Sequence, residues 1–254
     1  MRGRMAAPAQ RRATLSKIRV LNGYDALAEH LRKQILAGDV PEGTLLPPER
    51  EIVDQTGLSR GSVREALRIL EVEGLVHTRP GRYGGSVIRR PSDEVVVRFL
   101  RVFIRGRRIR FRSLLETREA IEPMLAGLAA ANRTEDDLEQ LYKVSQDLEA
   151  ARTDEDVSRF HAENLKWHCT VGAASHNELL SAFLVSISHA VAEGTDFGKF
   201  ASRTAARDVV QAHQRILDAI VAGDQVAARN HMERHIKAFG KTVERIAPPD
   251  VSLV

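Results

Sequence analysis

Apolar positions in the first third of the chain recur every three or four residues, which predicts short amphipathic helices separated by glycines. The first helix is expected to end at Gly38, and a second, over about 49–56, at Gly57. Ser59 is placed to cap a third helix, which ends at Gly74. The residues expected to face the core from the first and third helices are Leu27, Leu31, Ile35, Val63, Ala66, Leu67 and Leu70.

Two short strands, over about 75–79 and 86–90, are predicted after the third helix. A glycine-rich turn at residues 80–85 joins them, and Pro91 marks the end of this region. Three helices followed by a β-hairpin are the elements of a winged helix-turn-helix. In that arrangement the third helix is the one that reads DNA.

Beyond Pro91 every segment has helical periodicity, and no repeated sequence indicates a solenoid. The expected helices span about 92–106, 113–131, 134–151, 154–173, 176–193, 203–222 and 224–246. A Ser or Thr followed three residues later by an acid supports three of the starts: Thr134 with Asp137, Thr153 with Asp156, and Ser175 with Glu178. The fold class is therefore mainly α, a winged helix-turn-helix followed by an all-helical bundle.

These patterns divide the chain into a flexible basic arm (1–22), a winged helix-turn-helix domain (23–91), an all-helical domain (92–246) and a tail (247–254). Residues 1–112 contain 23 Lys and Arg against 12 Asp and Glu, whereas the remainder contains 15 against 22. A basic half attached to an acidic half is typical of a polyanion-binding module joined to a second function.

The composition argues against several other classes of protein. No run approaches the roughly 18 apolar residues that a membrane span needs, and the basic N-terminus lacks the apolar core of a secretory signal. The single cysteine, Cys169, excludes a disulfide framework and fits a reducing compartment. We therefore expect a cytoplasmic protein that does not act at a membrane.

Three arginines, Arg60, Arg64 and Arg68, lie four residues apart on the third helix, opposite its apolar face. Guanidinium groups in line can bind phosphates and guanine edges. Gly61 and Ser62, near the start of the helix, let the backbone come close to DNA. A solvated basic face is the alternative, but the preceding helix and the hairpin favour DNA reading.

Three motifs in this half, LPPERE at 46–51, LSRGSVREAL at 58–67 and LEVEGLV at 70–76, resemble the GntR family of bacterial regulators. The resemblance covers about residues 24–90. It implies a homodimer bound to a short palindrome of double-stranded DNA, with the turn of the wing in the minor groove. The residues then expected at the DNA are Arg50, Ser59, Arg60, Gly61, Ser62, Arg64 and Gly81.

Three histidines, His168, His213 and His235, lie on the apolar faces of three different helices in the second half. Asn164 precedes His168 by one helical turn. Three imidazoles and an amide oxygen can bind one divalent metal inside a helical bundle. The alternative is that each histidine is a core residue with its own hydrogen-bond partner.

The sequence around these histidines resembles the FCD sensor domain of the FadR subfamily, over about residues 92–245. The motifs are NxxWH at 164–168, SHN at 175–177, HxxILxAIxxGD at 213–224 and MxxH at 232–235. The number of helices after the wing favours the FadR-type over the shorter VanR-type arrangement.

This second resemblance implies a metal site and a small organic acid as the effector. The ligands of the metal would be Asn164, His168, His213 and His235. Asn164 stands where the pattern usually has Asp, so the ligand set lacks a charge to offset the metal. Three imidazoles favour zinc or nickel.

Arg118 lies on a stripe with Leu115, Glu122 and Leu125 that is expected to face inward. It either pairs with Glu122 at i, i+4, or it binds the carboxylate of an effector whose other oxygens reach the metal. Both interpretations stay open at the level of sequence.

We therefore expect a transcription regulator without catalytic residues, a repressor that responds to a small carboxylate. One alternative is a metalloenzyme with Glu122 or Glu163 as a base, although no HExxH or nucleophile motif supports it. Another is an architectural DNA-coating protein, which would be basic throughout, whereas the second half is acidic.

Overall fold

The computed structural model divides into two compact units, and the boundary along the chain falls between Pro91 and Ser92. It describes residues 22–79, 81, 84–194 and 203–246. The predicted basic arm, apart from Asn22, and the predicted tail lie outside the described residues. Across these ranges, no helix combines the length and the apolar character that a membrane span requires.

The first unit holds three helices and a hairpin, in the order that the sequence predicts. They are α1 (Gly23–Ala37), α2 (Glu49–Thr56), α3 (Arg60–Val72), β1 (Val76–Arg79) and β2 (Gly85–Ile88). α1 ends at Gly38, whose φ of 83° is the left-handed conformation that favours glycine. Ser59 caps α3 as predicted, because its Oγ accepts the backbone N–H of Ser62 at 3.1 Å. The strands are antiparallel, with Val76 opposite Ile88.

The helices and the hairpin of this unit enclose one apolar core. The buried members are Leu27, Ala28, Ile35, Leu46, Ile52, Val63, Ala66, Leu67, Leu70, Leu75, Val76 and Ile88. A fully buried aliphatic side chain stabilises the fold by roughly 1.5–3 kcal/mol, so the apolar face of α3 is fixed against the unit. A β-bridge from Leu45 to Val87, which the sequence did not predict, ties the connector before α2 to the hairpin.

The second unit is helical throughout its described residues. Its elements are α4 (Asp93–Gly106), α5 (Phe111–Asn132), α6 (Glu135–Thr153), α7 (Val157–Ala174), α8 (Glu178–Gly194), α9 (Arg203–Ala222) and α10 (Gln225–Ile246). The mainly α fold class is confirmed, and the predicted boundaries differ from these by at most three residues.

Of the three predicted helix starts, the one at Thr134 is confirmed. The one at Thr153 is wrong, because Thr153 belongs to the end of the preceding helix. Thr134 and Asp137 form the full capping box of α6, with each side chain accepting the other's backbone N–H. Thr153 instead ends α6, and its hydroxyl donates to the carbonyl of Glu149 at 2.9 Å. Asp156 caps α7 by accepting a first-turn N–H at 2.9 Å. The connector is so short that the acid, not the threonine, lies next to the new helix.

The predicted start at Ser175 is wrong for the same reason. Ser175 ends α7, and its hydroxyl donates to the carbonyl of Gly172 at 2.6 Å. Asn177 caps α8 instead, because its Oδ1 accepts the N–H of Leu180 at 3.0 Å.

α5 is the central helix of this unit and packs against α7, α8, α9 and α10. Trp167 on α7 is completely buried in the largest apolar cluster. That cluster also contains Ala126, Ala129, Ala130, Leu141, Val144, Val171, Ala174, Ile216, Leu217, Ala219, Ile220, Ala228, Met232 and Ile236. Because α5, α7, α9 and α10 share this core, side chains that face it from different helices lie within contact distance of one another.

Candidate metal centre and nucleic-acid interface

The exposed face of α3 carries the three arginines that the sequence places in line. Arg60, Arg64 and Arg68 are all exposed, while the opposite face of the helix is buried. Within 4 Å, and counting only described residues, a Cβ built at Gly61 would meet just the hydroxyl of Ser59, at 3.8 Å. Packing inside the unit therefore does not require glycine at this position, and a partner could approach the backbone closely.

Arg64 has a partner within the unit. Its Nε donates to Oε2 of Glu49 on α2 at 2.9 Å, and both side chains are solvent-exposed. An exposed ion pair of this kind contributes at most about 1 kcal/mol. Arg64 can therefore leave Glu49 for a phosphate or a base edge at little cost.

Two of the predicted DNA contacts, Arg50 and Gly81, lie away from α3 and its cap Ser59. Arg50 is exposed in the first turn of α2. Gly81 is exposed in the turn of the hairpin, with a φ of 111°. Pro80, Arg82 and Tyr83, which flank it, lie outside the described residues.

The three predicted histidines converge inside the second unit. His213 Nε2 lies 3.1 Å from His235 Nε2, which lies 3.4 Å from His168 Nε2. Each histidine can offer one ring nitrogen to a common centre, and these atoms all lie within 4.8 Å of one another. Helices α7, α9 and α10 each contribute one imidazole to this three-histidine cluster.

A carboxylate and a guanidinium lie behind the cluster. Oε2 of Glu122 on α5 lies 2.6 Å from Nδ1 of His168. Its Oε1 accepts a hydrogen bond from Nε of Arg118 at 2.5 Å. All three side chains are buried. A carboxylate on the far nitrogen of a metal-binding histidine fixes the ring orientation and leaves Nε2 with its lone pair toward the metal.

Burial and the neighbouring charges set the ionisation of this region. Burial alone raises the pKa of Glu122, but its interactions with Arg118 and His168 outweigh it and lower that pKa to about 2. Burial and the adjacent imidazoles lower the pKa of His235 to about 3, and that of His213 well below its ordinary value. The carboxylate is therefore ionised and both imidazoles are neutral near pH 7, as metal ligation requires.

Trp167 holds His213 in place. The two rings stack with centroids 3.8 Å apart and an angle of 10° between their planes. The indole N–H donates to the hydroxyl of Ser145 on α6 at 3.0 Å. The indole is thus anchored at one end, and the imidazole can lie against it in only one plane.

A cavity of about 1040 Å³ opens beside the cluster. Its wall includes His168, His235, Asn164 and Arg118. The guanidinium of Arg118 also lies over the ring of Phe239, 5.4 Å from its centroid. Most of the remaining wall is apolar, with the carbon-rich side chains Ala151, Val157, Phe160, Leu165, Val191, Ala192, Ala206, Val209, Ala212 and Ile236.

Comparison with known proteins connects both units to described families. The model of bacterial regulatory proteins of the gntR family matches residues 23–83, and the FCD domain model matches residues 113–238. The HTH-type transcriptional regulator YieP of Escherichia coli is 31% identical over 80% of this chain and 87% of its own.

Two further comparisons cover most of the chain. The putative L-lactate dehydrogenase operon regulatory protein of Escherichia coli is 28% identical, over 87% of this chain and 86% of its own. The solved structure of Streptococcus agalactiae GntR superposes with a TM-score of 0.64 at 26% identity, covering 86% of this chain and 99% of that one.

This chain belongs to the GntR family. It is a DNA-binding transcription regulator with a C-terminal FCD effector domain, in the FadR-type arrangement. Because both families and the relatives are regulators rather than enzymes, this GntR-family protein is not a metalloenzyme. The FCD effector domain likewise separates it from an architectural DNA-coating protein.

The structure of this regulator brings together most of the predicted sensor residues. His168, His213 and His235 meet, and Asn164 lies on the wall of the adjoining cavity. Arg118 pairs with Glu122, as the first interpretation predicts, and it also lines the cavity.

Sequence reasoning missed two contacts of this regulator's site, that of Glu122 with His168 and that of Trp167 with His213. Glu122 was predicted as a partner of Arg118 on its own helix and considered as a base, but not as a partner of His168. Helical spacing reports neighbours along one helix, so contacts between α5 and α7, or α7 and α9, leave no periodic signal. The motif NxxWH did place a tryptophan beside a candidate ligand.

Proposed function

We propose that this GntR-family regulator is a repressor that binds a palindromic operator as a homodimer and responds to a small carboxylate bound beside a divalent metal. The observation that carries the proposal is the convergence of three histidines beside a cavity that two of them, His168 and His235, line together with Arg118.

The spacing of the histidine nitrogens supports the metal. Ligand nitrogens that lie about 2.0–2.1 Å from a tetrahedral ion are roughly 3.3 Å apart. The separations of His235 Nε2 from the Nε2 atoms of His213 and His168, 3.1 and 3.4 Å, bracket that value. Neutral imidazoles favour zinc or nickel over magnesium or calcium, which prefer oxygen ligands. Asn164, one turn before His168, is the proposed fourth ligand through its amide oxygen.

The cavity supports a carboxylate as the effector. Its volume of about 1040 Å³ suits a small organic molecule. Arg118 is the buried cation of its wall, and a guanidinium binds a carboxylate through parallel N–H groups. One relative is named for an L-lactate dehydrogenase operon, and lactate is a small carboxylate.

The exposed arginines of α3 support the mode of DNA binding. We assign the DNA contacts to Arg50, Ser59, Arg60, Gly61, Ser62, Arg64 and Gly81. Two such helices on a two-fold axis would read half-sites about one helical turn apart. An effector that changes the spacing of these helices would release the operator, by a coupling of typically 1–3 kcal/mol.

Elemental analysis of the purified protein and of single His→Ala variants tests the metal site. Loss of bound metal is expected in His168→Ala, His213→Ala and His235→Ala, and no loss in His189→Ala, which changes an exposed histidine. Thermal-shift titration with small carboxylates, with and without the metal, then tests the effector, because a ligand that binds the native state raises the melting temperature. Full metal content in His213→Ala would refute the ligand set.

A further inference from the structure

Ser188 is a buried side chain on the wall of the effector cavity. It lies on α8, and its residue surface is only 1% exposed. Its hydroxyl has no hydrogen-bond partner among the residues that the structure describes. A hydroxyl that loses its hydrogen bonds to water on burial and gains none within the protein destabilises the fold by the full cost of its desolvation.

Other helical hydroxyls in this protein avoid that cost. Two residues earlier on the same helix, Ser186 is equally buried, and its Oγ donates to the carbonyl of Ala182 at 2.7 Å. The same bond to the carbonyl four residues back is made by Thr56, Thr117, Ser145, Thr153, Thr170 and Thr242. Ser188 departs from this pattern, so its hydroxyl is left to hydrogen-bond with whatever occupies the cavity.

The neighbours of Ser188 on α8 lie where the apolar core meets the cavity. Ile187 and Ala190 pack into an apolar cluster with residues of α4 and α5. Val191, three residues after Ser188, belongs to that cluster, and it also lines the cavity together with Ser188 and Ala192. α8 therefore presents one polar side chain, beside Val191 and Ala192, to the same cavity as Arg118.

We propose that Ser188 is a specificity-determining residue that hydrogen-bonds to an oxygen of the effector other than the carboxylate bound at Arg118. The effector is then an organic acid that carries a hydroxyl or oxo group besides its carboxylate, and not a simple fatty acid. This inference rests on the proposed carboxylate-sensing function and adds a second recognition point to it. A site built to hydrogen-bond a substrate hydroxyl discriminates strongly against the analogue that lacks it.

A first experiment needs no effector and compares Ser188→Ala with the matched control Ser186→Ala by thermal unfolding. Ser186→Ala removes a hydroxyl that is already hydrogen-bonded, and its melting temperature should fall. Ser188→Ala removes an unpaired hydroxyl, and its melting temperature should equal or exceed that of the wild type. A fall in Ser188→Ala as large as that in Ser186→Ala would overturn the proposal, because the hydroxyl would then have a partner within the protein.

A second experiment measures binding of paired probes to metal-loaded full-length protein by calorimetry. The pairs are butyrate with 3-hydroxybutyrate, succinate with malate, and hexanoate with 6-hydroxyhexanoate. For at least one pair the wild type and Ser186→Ala should prefer the hydroxylated probe by about 3- to 10-fold, the value of one net hydrogen bond. Ser188→Ala should lose that preference while it keeps the affinity for the unhydroxylated probe, and Ser188→Thr should retain it.

The outcomes separate this inference from the function on which it rests. If wild-type protein binds carboxylates but prefers no hydroxylated probe, or if Ser188→Ala keeps the wild-type preference, the role of Ser188 is wrong and carboxylate sensing stands. If no probe of any pair binds the wild type, carboxylate sensing fails and this inference fails with it.

Discussion

Glu122 on α5 holds His168 on α7 by a contact of 2.6 Å between Oε2 and Nδ1. A carboxylate beside Nδ1 favours the tautomer that leaves the lone pair of Nε2 for a metal, and Nε2 of His168 lies 3.4 Å from Nε2 of His235. A residue that offers no atom to the proposed metal thus determines whether one of its ligands is correctly oriented.

Replacing Glu122 with Gln should weaken metal binding by about 10- to 100-fold without removing a ligand. The amide keeps the shape of the side chain but loses the charge that orients His168. Competition with a chromogenic chelator measures the affinity. Glu116→Gln is the matched control, because Glu116 is exposed on the same helix and pairs with Arg112. Equal affinities in the two variants would show that Glu122 has no influence on the metal.

Replacing Asn164 with Asp should raise metal affinity, because the change adds a negative charge to a ligand set of neutral imidazoles. Replacing it with Ala should lower the affinity if the amide oxygen is a ligand. The same chelator competition compares the three proteins. An unchanged affinity in both variants would leave three histidines as the whole protein ligand set.

Replacing Arg60 or Arg64 with Ala should weaken operator binding by about 1–3 kcal/mol if each arginine reaches a base. Arg68, further along α3, should matter less. Fluorescence anisotropy at several salt concentrations gives the affinity and the salt slope, which should be steep for a dimer with many phosphate contacts. Arg64→Ala protein that folds and binds with wild-type affinity would contradict this assignment.

The role of Arg118 is best tested with a conservative variant, because removing its positive charge would leave the buried negative charge of Glu122 without its ion-pair partner. Breaking a buried pair by deleting one partner costs about 3–5 kcal/mol, so Arg118→Ala changes stability as well as recognition. Arg118→Lys keeps the charge but not the planar fork. It should retain the metal and effector-free DNA binding, and it should reduce the response to the effector by about tenfold. A wild-type response, measured as operator release in a titration with the effector, would mean that Arg118 serves only Glu122.

The metal-free protein should become less stable as the pH falls from about 6.5 toward 3. His235 has a pKa of about 3 in the folded protein against an ordinary value of 6.5. Between these values the unfolded chain binds a proton that the folded protein does not, so the free energy of unfolding falls with decreasing pH. Urea unfolding at a series of pH values measures it. His235→Phe should show a shallower decline, and an equally steep one would assign the effect to other groups.

Much of the fold could be read from local patterns. Ser59 and Gly38 marked helix ends because capping and left-handed backbone depend on neighbours within a few residues. The same logic failed at Thr153 and Ser175, where a connector holds two candidate caps and only the backbone path decides between them.

The sequence by itself determined the mainly α fold class, the winged helix-turn-helix order and the choice of the histidines 168, 213 and 235. Those features follow from helical spacing and from the chemistry of the side chains. Only the tertiary structure decided that Glu122 contacts His168 and that Arg118 both pairs with Glu122 and lines the cavity. It also decided that the hydroxyl of Ser188 has no hydrogen-bond partner among the described residues. The reason is that these relationships join different helices, and the packing of α5 against its neighbours, not the spacing along any one of them, sets the distances.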